Sequence, residues 1–208
     1  MFKAIFWDND GVLMETEHLY YRANAEALAR CGVELTMEMF RRVSLERGES
    51  VLALAGRAED ELRPWRDQRY HDLLGSQAKV IPGVYDTLVV LHGRFQMAIV
   101  TSCRRHHFER MHRDSGLTGY FDFILTREDY RNSKPDPEPY LTACRRAGLQ
   151  PADCLAVEDS QRGVASASRA GLAVAAIPGE LNRGGDFSPA SWVLDDVLQV
   201  TGLLSPSP

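Results

Sequence analysis

The chain has 208 residues, enough for one large domain or for a core with a smaller companion, and either can bury a sizeable interior. Its hydrophobic fraction of 44% and charged fraction of 25% are those of a folded globular protein, which argues against disorder as the main state. A formal net charge of −5 and a pI near 5.7 argue against a general polyanion-binding surface, so nucleic acid is not an expected partner.

The chain opens on a short apolar run, residues 2–8, too uniformly apolar for a surface helix and rich in aromatic and branched side chains. It reads as a strand buried on both faces. It runs into Asp8-Asn9-Asp10-Gly11, where the glycine can take backbone angles that turn the chain sharply and present both acids at the strand end. No apolar stretch is long enough to span a membrane and no signal-peptide pattern precedes the strand. A cytoplasmic monomer without membrane partners is expected.

Leu19, Ala23, Ala27 and Leu28 then recur at helical spacing until Cys31-Gly32 stops them. Residues 36–75 keep a helical character, so 15–78 reads as an all-helical insertion into a core made of 1–14 and 79–208. Pro82-Gly83 is expected to open the next helix with proline in its first turn. Four strand–helix repeats follow: strand 96–100 and helix 104–115, strand 121–125 and a helix after the proline-punctuated loop 134–140, strand 154–157 and a small-residue helix ending at Gly171, strand 173–177 and the tail. In that tail, 192–194 reads as an edge strand, 195–201 as a short helix, and 205–208 as frayed. Alternation of this kind predicts an α/β fold, a Rossmann-like parallel sheet with helices on both faces, plus a small all-helical cap.

In open parallel sheets the carboxyl ends of the strands line the ligand crevice. There the sequence places Asp8 and Asp10, then Thr101 and Ser102, then Glu158 and Asp159, with Lys134 in a neighbouring loop. Four carboxylates cannot share a small site unaided, because each like-charge pair at ~4 Å costs roughly 4 kcal/mol at an effective dielectric near 20. A divalent cation is implied, and oxygen-only ligands select a hard ion, Mg²⁺, held by Asp8, Asp10, Glu158 and Asp159.

Four segments in order, Asp8-x-Asp10-Gly11-Val12, Val100-Thr101-Ser102, Lys134-Pro135 and Glu158-Asp159-Ser160-x-x-Gly163, resemble the signature motifs of the haloacid dehalogenase superfamily of phosphohydrolases, in its phosphatase and β-phosphoglucomutase-like subgroup. The resemblance implies that Asp8 is a nucleophile forming an aspartyl-phosphate, and that Asp10 protonates the leaving oxygen and then activates water. It implies that Thr101 and the backbone N–H of Ser102 hold phosphoryl oxygens. Lys134 would neutralise nucleophile and transferring group, Asp159 ligate Mg²⁺, and Glu158 ligate it directly or through water. The implied substrate is a small phosphorylated metabolite, and the insertion is implied to be a cap. Trp7 and Asn9 depart from the family's usual Phe and large apolar residue, and neither is expected to touch a required side chain.

A phosphate mutase of the β-phosphoglucomutase type is the nearest alternative, but Tyr20 occupies the position where those mutases carry a catalytic histidine. A non-enzymatic phospho-aspartate receiver would be about half this length and lack the insertion. Elsewhere plain structural roles are expected. His106, His107 and His112 share a helix with Arg104, Arg105, Arg110 and Arg113 and read as a solvated face, while Trp65 and Tyr70 read as cap interior. His18, Arg22, Arg47 and Arg57 read as surface residues that could face substrate. The four scattered cysteines read as reduced, and Cys103 as a spectator rather than a nucleophile.

Overall fold

In the computed structural model, which describes residues 2–204, the N-terminal apolar run forms β1 (Ala4–Trp7), with all four residues buried. It lies at the centre of a six-stranded, all-parallel sheet with β4 (Gln96–Val100), β5 (Phe123–Leu125), β6 (Cys154–Glu158), β7 (Ala173–Ala176) and β8 (Trp192–Val193), in the order β5-β4-β1-β6-β7-β8. The side chains alternate as a strand's pleat requires. Ile5 and Trp7 share one face with Met97, Ile99, Leu155 and Val157, and that face is covered by α4 (Val84–Leu91), α5 (Arg105–His112) and α8 (Gln199–Leu203). Ala4 and Phe6 share the other with Ala98, Val100 and Ala156, beneath α6 (Glu138–Ala147) and α7 (Gln161–Arg169). Helices on both faces explain why β1 carries no polar residue until it ends.

Register then decides where the acids go. Trp7 is level with Ile99 on one neighbour and Val157 on the other. Asp8 and Glu158 therefore emerge at the same level at the carboxyl edge, with Thr101 one residue past that level on β4. The Asp8 N–H donates to Val157 O at 2.9 Å and the Thr101 N–H to Leu125 O at 3.0 Å.

Residues between the first strand and the rest of the sheet are helical: α1 (Glu17–Ala29), α2 (Met37–Phe40), a π-helical turn over Arg41–Glu46, a 3-10 stretch over Val51–Ala58 kinked at Gly56, and α3 (Glu59–Gln77). Two short strands that the sequence pattern did not reveal, β2 (Met14–Glu15) and β3 (Lys79–Val80), pair antiparallel at its entrance and exit. The helices hold a small core of their own, built on Leu28, Leu35, Phe40, Leu52 and Leu62. Leu19 and Ala23 of α1 and Tyr70, Leu73 and Leu74 of α3 instead join the main core. Tyr70 is thus not confined to the inserted helices, whereas Trp65 packs against their own cluster under the Arg30 guanidinium.

Three expectations are corrected. Pro82 precedes α4 rather than lying in its first turn, because Gly83 caps the helix with a φ of 84°. The final helix is Gln199–Leu203, later than expected. His107 and His112 are buried, not solvated: with Phe108 and Met111 they form one stripe at helical spacing, and the flanking arginines masked that period. The expectation for 205–208 lies outside the described residues.

The turn after β1 is tight. The N–H groups of Leu13 and Met14 both donate to Asn9 O at 2.9 Å, and Gly11 has a φ of 82°. A Cβ on Gly11 would stand 2.2 Å from Asp159 Oδ2. Gly11→Ala should cost at least ~1–2 kcal/mol from the left-handed backbone alone. Thermal denaturation followed by circular dichroism should show a midpoint lowered by ~2–4 °C per kcal/mol for a chain of this size.

Candidate active site

Lys134 is brought to the carboxyl edge by a loop that α7 grips from below. Ser166 Oγ donates to Asp136 O at 2.6 Å, Arg169 Nη1 donates to Pro135 O at 3.1 Å, and the Arg162 guanidinium donates to Lys134 O. Lys134 is 5% exposed and each proton of its ammonium has an acceptor: Asp8 Oδ1 at 2.7 Å, Val100 O at 2.8 Å and Glu158 Oε1 at 2.6 Å. Burial alone would lower the Lys134 pKa, but Asp8 and Glu158 outweigh it and hold it well above its ordinary value, so the group is a fixed cation. Tyr140 donates its hydroxyl to the same Glu158 oxygen at 2.6 Å. Glu158, with no exposed surface, is thereby turned towards Lys134 and fills the space over Gly163, where a Cβ would stand 1.9 Å from Oε2.

Asp10 lies outside this ion-paired group. Its Oδ1 accepts from Thr16 Oγ1 at 2.5 Å and from the Tyr70 hydroxyl at 3.5 Å, and its Oδ2 from Thr101 Oγ1 at 3.3 Å and Asn9 Nδ2 at 3.1 Å. Asn9, expected to touch no required side chain, therefore does touch one. Because its amide nitrogen donates, its Oδ1 accepts the Nε2–H of His112 at 2.7 Å, leaving His112 Nδ1 to accept from Ser115 Oγ at 2.9 Å. Burial holds the His112 pKa down to about 4, which keeps this ring neutral and its tautomer defined. Thr101 Oγ1 also accepts the Cys103 N–H at 3.0 Å, and Tyr130 donates its hydroxyl to Thr101 O at 2.7 Å.

Ser102 follows as an exposed turn residue. Cys103 is not disposed to react: burial, then Asp10 and Asp8, push its thiol well above its ordinary pKa, consistent with a spectator.

Asp8, Glu158 and Asp159 each offer a carboxylate oxygen within 4.8 Å of the other two, and all three are buried. Asp10 is not one of this group. Asn182 Nδ2 bridges Asp159 Oδ2 at 2.7 Å and Glu17 Oε1 at 2.8 Å, which adds a fifth carboxylate that the motifs did not announce. Burial is the first cause of strain in this acid cluster. It lifts Asp8 to about 8 against the pull of Lys134, lifts Glu17 to about 7, and with Glu17 and Asp8 lifts Asp159 well above the carboxylate range. One lysine does not balance these charges. A hard divalent cation fits an all-oxygen donor set of this kind, and Mg²⁺ suits it because it accepts a few carboxylates and retains water.

Thr16, Glu17, Tyr130, Tyr140 and Asn182 were not visible as site residues in the sequence, because no motif marks them: Thr16 and Glu17 enter at the start of α1, and Tyr130, Tyr140 and Asn182 arrive only through tertiary packing. His18, Arg22, Arg47 and Arg57 are all exposed, and Arg22 pairs with Glu26 at 2.7 Å. The buried cation of the inserted helices is instead Arg66, whose Nη1 donates to the Tyr20 hydroxyl at 2.7 Å and to Asn24 Oδ1 at 2.9 Å.

Two measurements follow from this geometry. Mg²⁺ should raise the thermal midpoint, since a ligand at ~100 times its Kd stabilises by ~2.7 kcal/mol, and Asp159→Asn should remove most of that shift. His112→Ala leaves Asn9 Oδ1 buried without its donor and should lower the unfolding free energy in urea by ~1–3 kcal/mol.

The sequence pattern of the haloacid dehalogenase-like hydrolase family matches residues 5–177. Protein CbbY of Rhodobacter capsulatus is 32% identical over 94% of this chain and 93% of its own length. A phosphorylated carbohydrates phosphatase of Thermotoga maritima is 34% identical over 82% of each. CbbY from Rhodobacter sphaeroides, solved in complex with xylulose-(1,5)bisphosphate, superposes with a TM-score of 0.82 at 25% identity, covering 96% of both chains. With the matched segment running from β1 through β7 and containing all four motifs, the chain belongs to the haloacid dehalogenase-like hydrolases, an enzyme family in which its relatives include phosphatases.

Proposed function

We propose that the protein is a cytoplasmic, Mg²⁺-dependent phosphatase that hydrolyses a small phosphomonoester, a sugar phosphate or a compound like it, through an aspartyl-phosphate on Asp8. The observation that carries this reading is the difference between the two acids of one turn. Asp8 is ion-paired to Lys134 at 2.7 Å, while Asp10, two residues on, is held only by neutral donors. That division suits one carboxylate for attack and another for proton transfer.

In the first step an Asp8 oxygen forms a bond to phosphorus as the bond from phosphorus to the substrate's alcohol oxygen breaks, and Asp10 gives its proton to that oxygen. In the second, Asp10 as carboxylate takes a proton from water, whose oxygen attacks phosphorus and releases Asp8 and inorganic phosphate. Lys134 offsets charge on Asp8 and on the transferring group, and Thr101 with the Ser102 N–H holds phosphoryl oxygens. Asp8 and Asp159, with Glu158 directly or through water, would hold Mg²⁺, whose charge offsets the carboxylates and the substrate phosphate. Asp10 would stand beside the ion as acid and base.

Residues 15–78 would act as a cap on a core of 1–14 and 79–208, limiting water and selecting the substrate. Support for a sugar phosphate comes from the relative named for phosphorylated carbohydrates and from the fold shared with a protein that binds a sugar bisphosphate. Against a mutase, Tyr20 accepts a hydrogen bond from buried Arg66 and offers no imidazole for proton transfer.

Phosphate release from a panel of sugar and small organic phosphates, with and without Mg²⁺, tests the reading. Asp8→Asn should reduce turnover to background, and Asp10→Asn should slow it by ~10²–10⁴, the range for a lost general acid or base. Full activity in Asp8→Asn would sink the mechanism, and isomerised sugar phosphate without phosphate release would establish the mutase instead.

A further inference from the structure

Away from the acids, α3 and α5 lie side by side, and three imidazoles meet at their seam. His71 comes from α3, and His106 and His107 from the first turn of α5. A ring nitrogen of each lies within 4.8 Å of one on both others. The His106 and His107 ring centroids are 3.9 Å apart, and that of His71 stands 6.0 and 5.9 Å from them. A cleft of about 380 Å³, lined by Pro64, Asp67, Gln68, His71 and His106, opens beside the group, with His107 buried behind it. None of these residues belongs to the acid site, and the mechanism leaves them without a role.

The ring chemistry is that of ligands. The Asp67 carbonyl can only accept, so His107 donates its Nε2–H to it at 3.2 Å, which fixes the tautomer and leaves the Nδ1 lone pair available. His71 Nδ1 is buried with no hydrogen-bond partner. Burial, then Arg110 and His106, holds the His71 pKa below its ordinary value; burial and His106 hold that of His107 down to about 4. Both shifts favour the unprotonated ring, the form that metal binding requires. The other charges facing the group are Asp67 on α3, which pairs with Arg66 at 2.9 Å and with Arg104 at 3.3 Å, Asp72 on α3, Arg110 on α5 and Arg113 just past its end. An all-imidazole donor set disfavours Mg²⁺ and suits borderline ions, and the cleft leaves room for a water as fourth ligand.

We propose that His71, His106 and His107 form a site for a divalent transition-metal ion, Zn²⁺ fitting best, which fastens α3 to α5. The test uses the full chain with Mg²⁺ in large excess, so that the acid site is occupied by a hard ion. Co²⁺ serves as the visible-absorption probe and calorimetry follows Zn²⁺. The wild type should bind a single equivalent of Co²⁺ with the absorption of a four-coordinate site, and Zn²⁺ should displace it. His71→Ala and His106→Ala should each weaken Zn²⁺ binding about tenfold or more. His106 is exposed, so its variant should keep the wild-type circular dichroism. Asp159→Asn should leave this binding in place. Binding unchanged in both histidine variants, binding lost in Asp159→Asn, or no binding at about millimolar Zn²⁺ would each overturn the proposal.

Discussion

The ammonium of Lys134 is the group on which the rest of the site depends. Taking a charge of that size out of water costs several kcal/mol even after relaxation, so it persists only where geometry and partners are both good. Here three different strands supply the partners: Asp8 after β1, Val100 O at the end of β4, and Glu158 at the end of β6. A one-residue slip of either neighbour against β1 would remove one of them and exchange the side chains packed on the strand's two buried faces. The sheet register and the lysine therefore specify each other. Tyr140 on α6 and Gly163 on α7 extend the same requirement to the helices, one by orienting Glu158 and the other by leaving it room.

The same edge carries more negative charge than one lysine can offset. Asp8, Glu158, Asp159 and Glu17 lie close together under partial or complete burial, joined through Lys134 and Asn182. Such an arrangement is poor for folding stability and compatible with a hard cation. Asp10 is kept apart by neutral donors, and Asn9 and His112 support it from behind. Two carboxylates separated by a single residue thus experience different surroundings: Lys134, far away in sequence, pairs with one, while Asn9 and Thr16 nearby and Tyr70 and Thr101 from further off surround the other.

This is why the sheet and the motifs were legible in the sequence and much of the site was not. Strands buried on both faces announce themselves as apolar runs, and their polar successors mark the carboxyl edge, so Asp8, Thr101, Lys134, Glu158 and Asp159 could be named from spacing and type. Glu17, Tyr140 and Asn182 carry no such mark, since each is an ordinary helix or loop residue until tertiary packing aims it. Arginines hid the apolar period of α5, and with it the burial of His107 and His112. Two-residue strands such as β2 and β3 are too short to produce any alternation.

Those two strands bear on how the inserted helices belong to the molecule. Paired strands lie about 4.8 Å apart, so the chain enters the helical excursion at Glu15 and leaves it at Lys79 at nearly the same point. In connectivity the excursion is removable, since a short turn could join its ends without disturbing a single crossover of the parallel sheet. In packing it is not, because Leu19, Ala23, Tyr70, Leu73 and Leu74 complete the hydrophobic cluster on one face of that sheet, and Thr16 and Tyr70 complete the shell of Asp10. The insertion is a detachable piece of topology and an integral piece of the core.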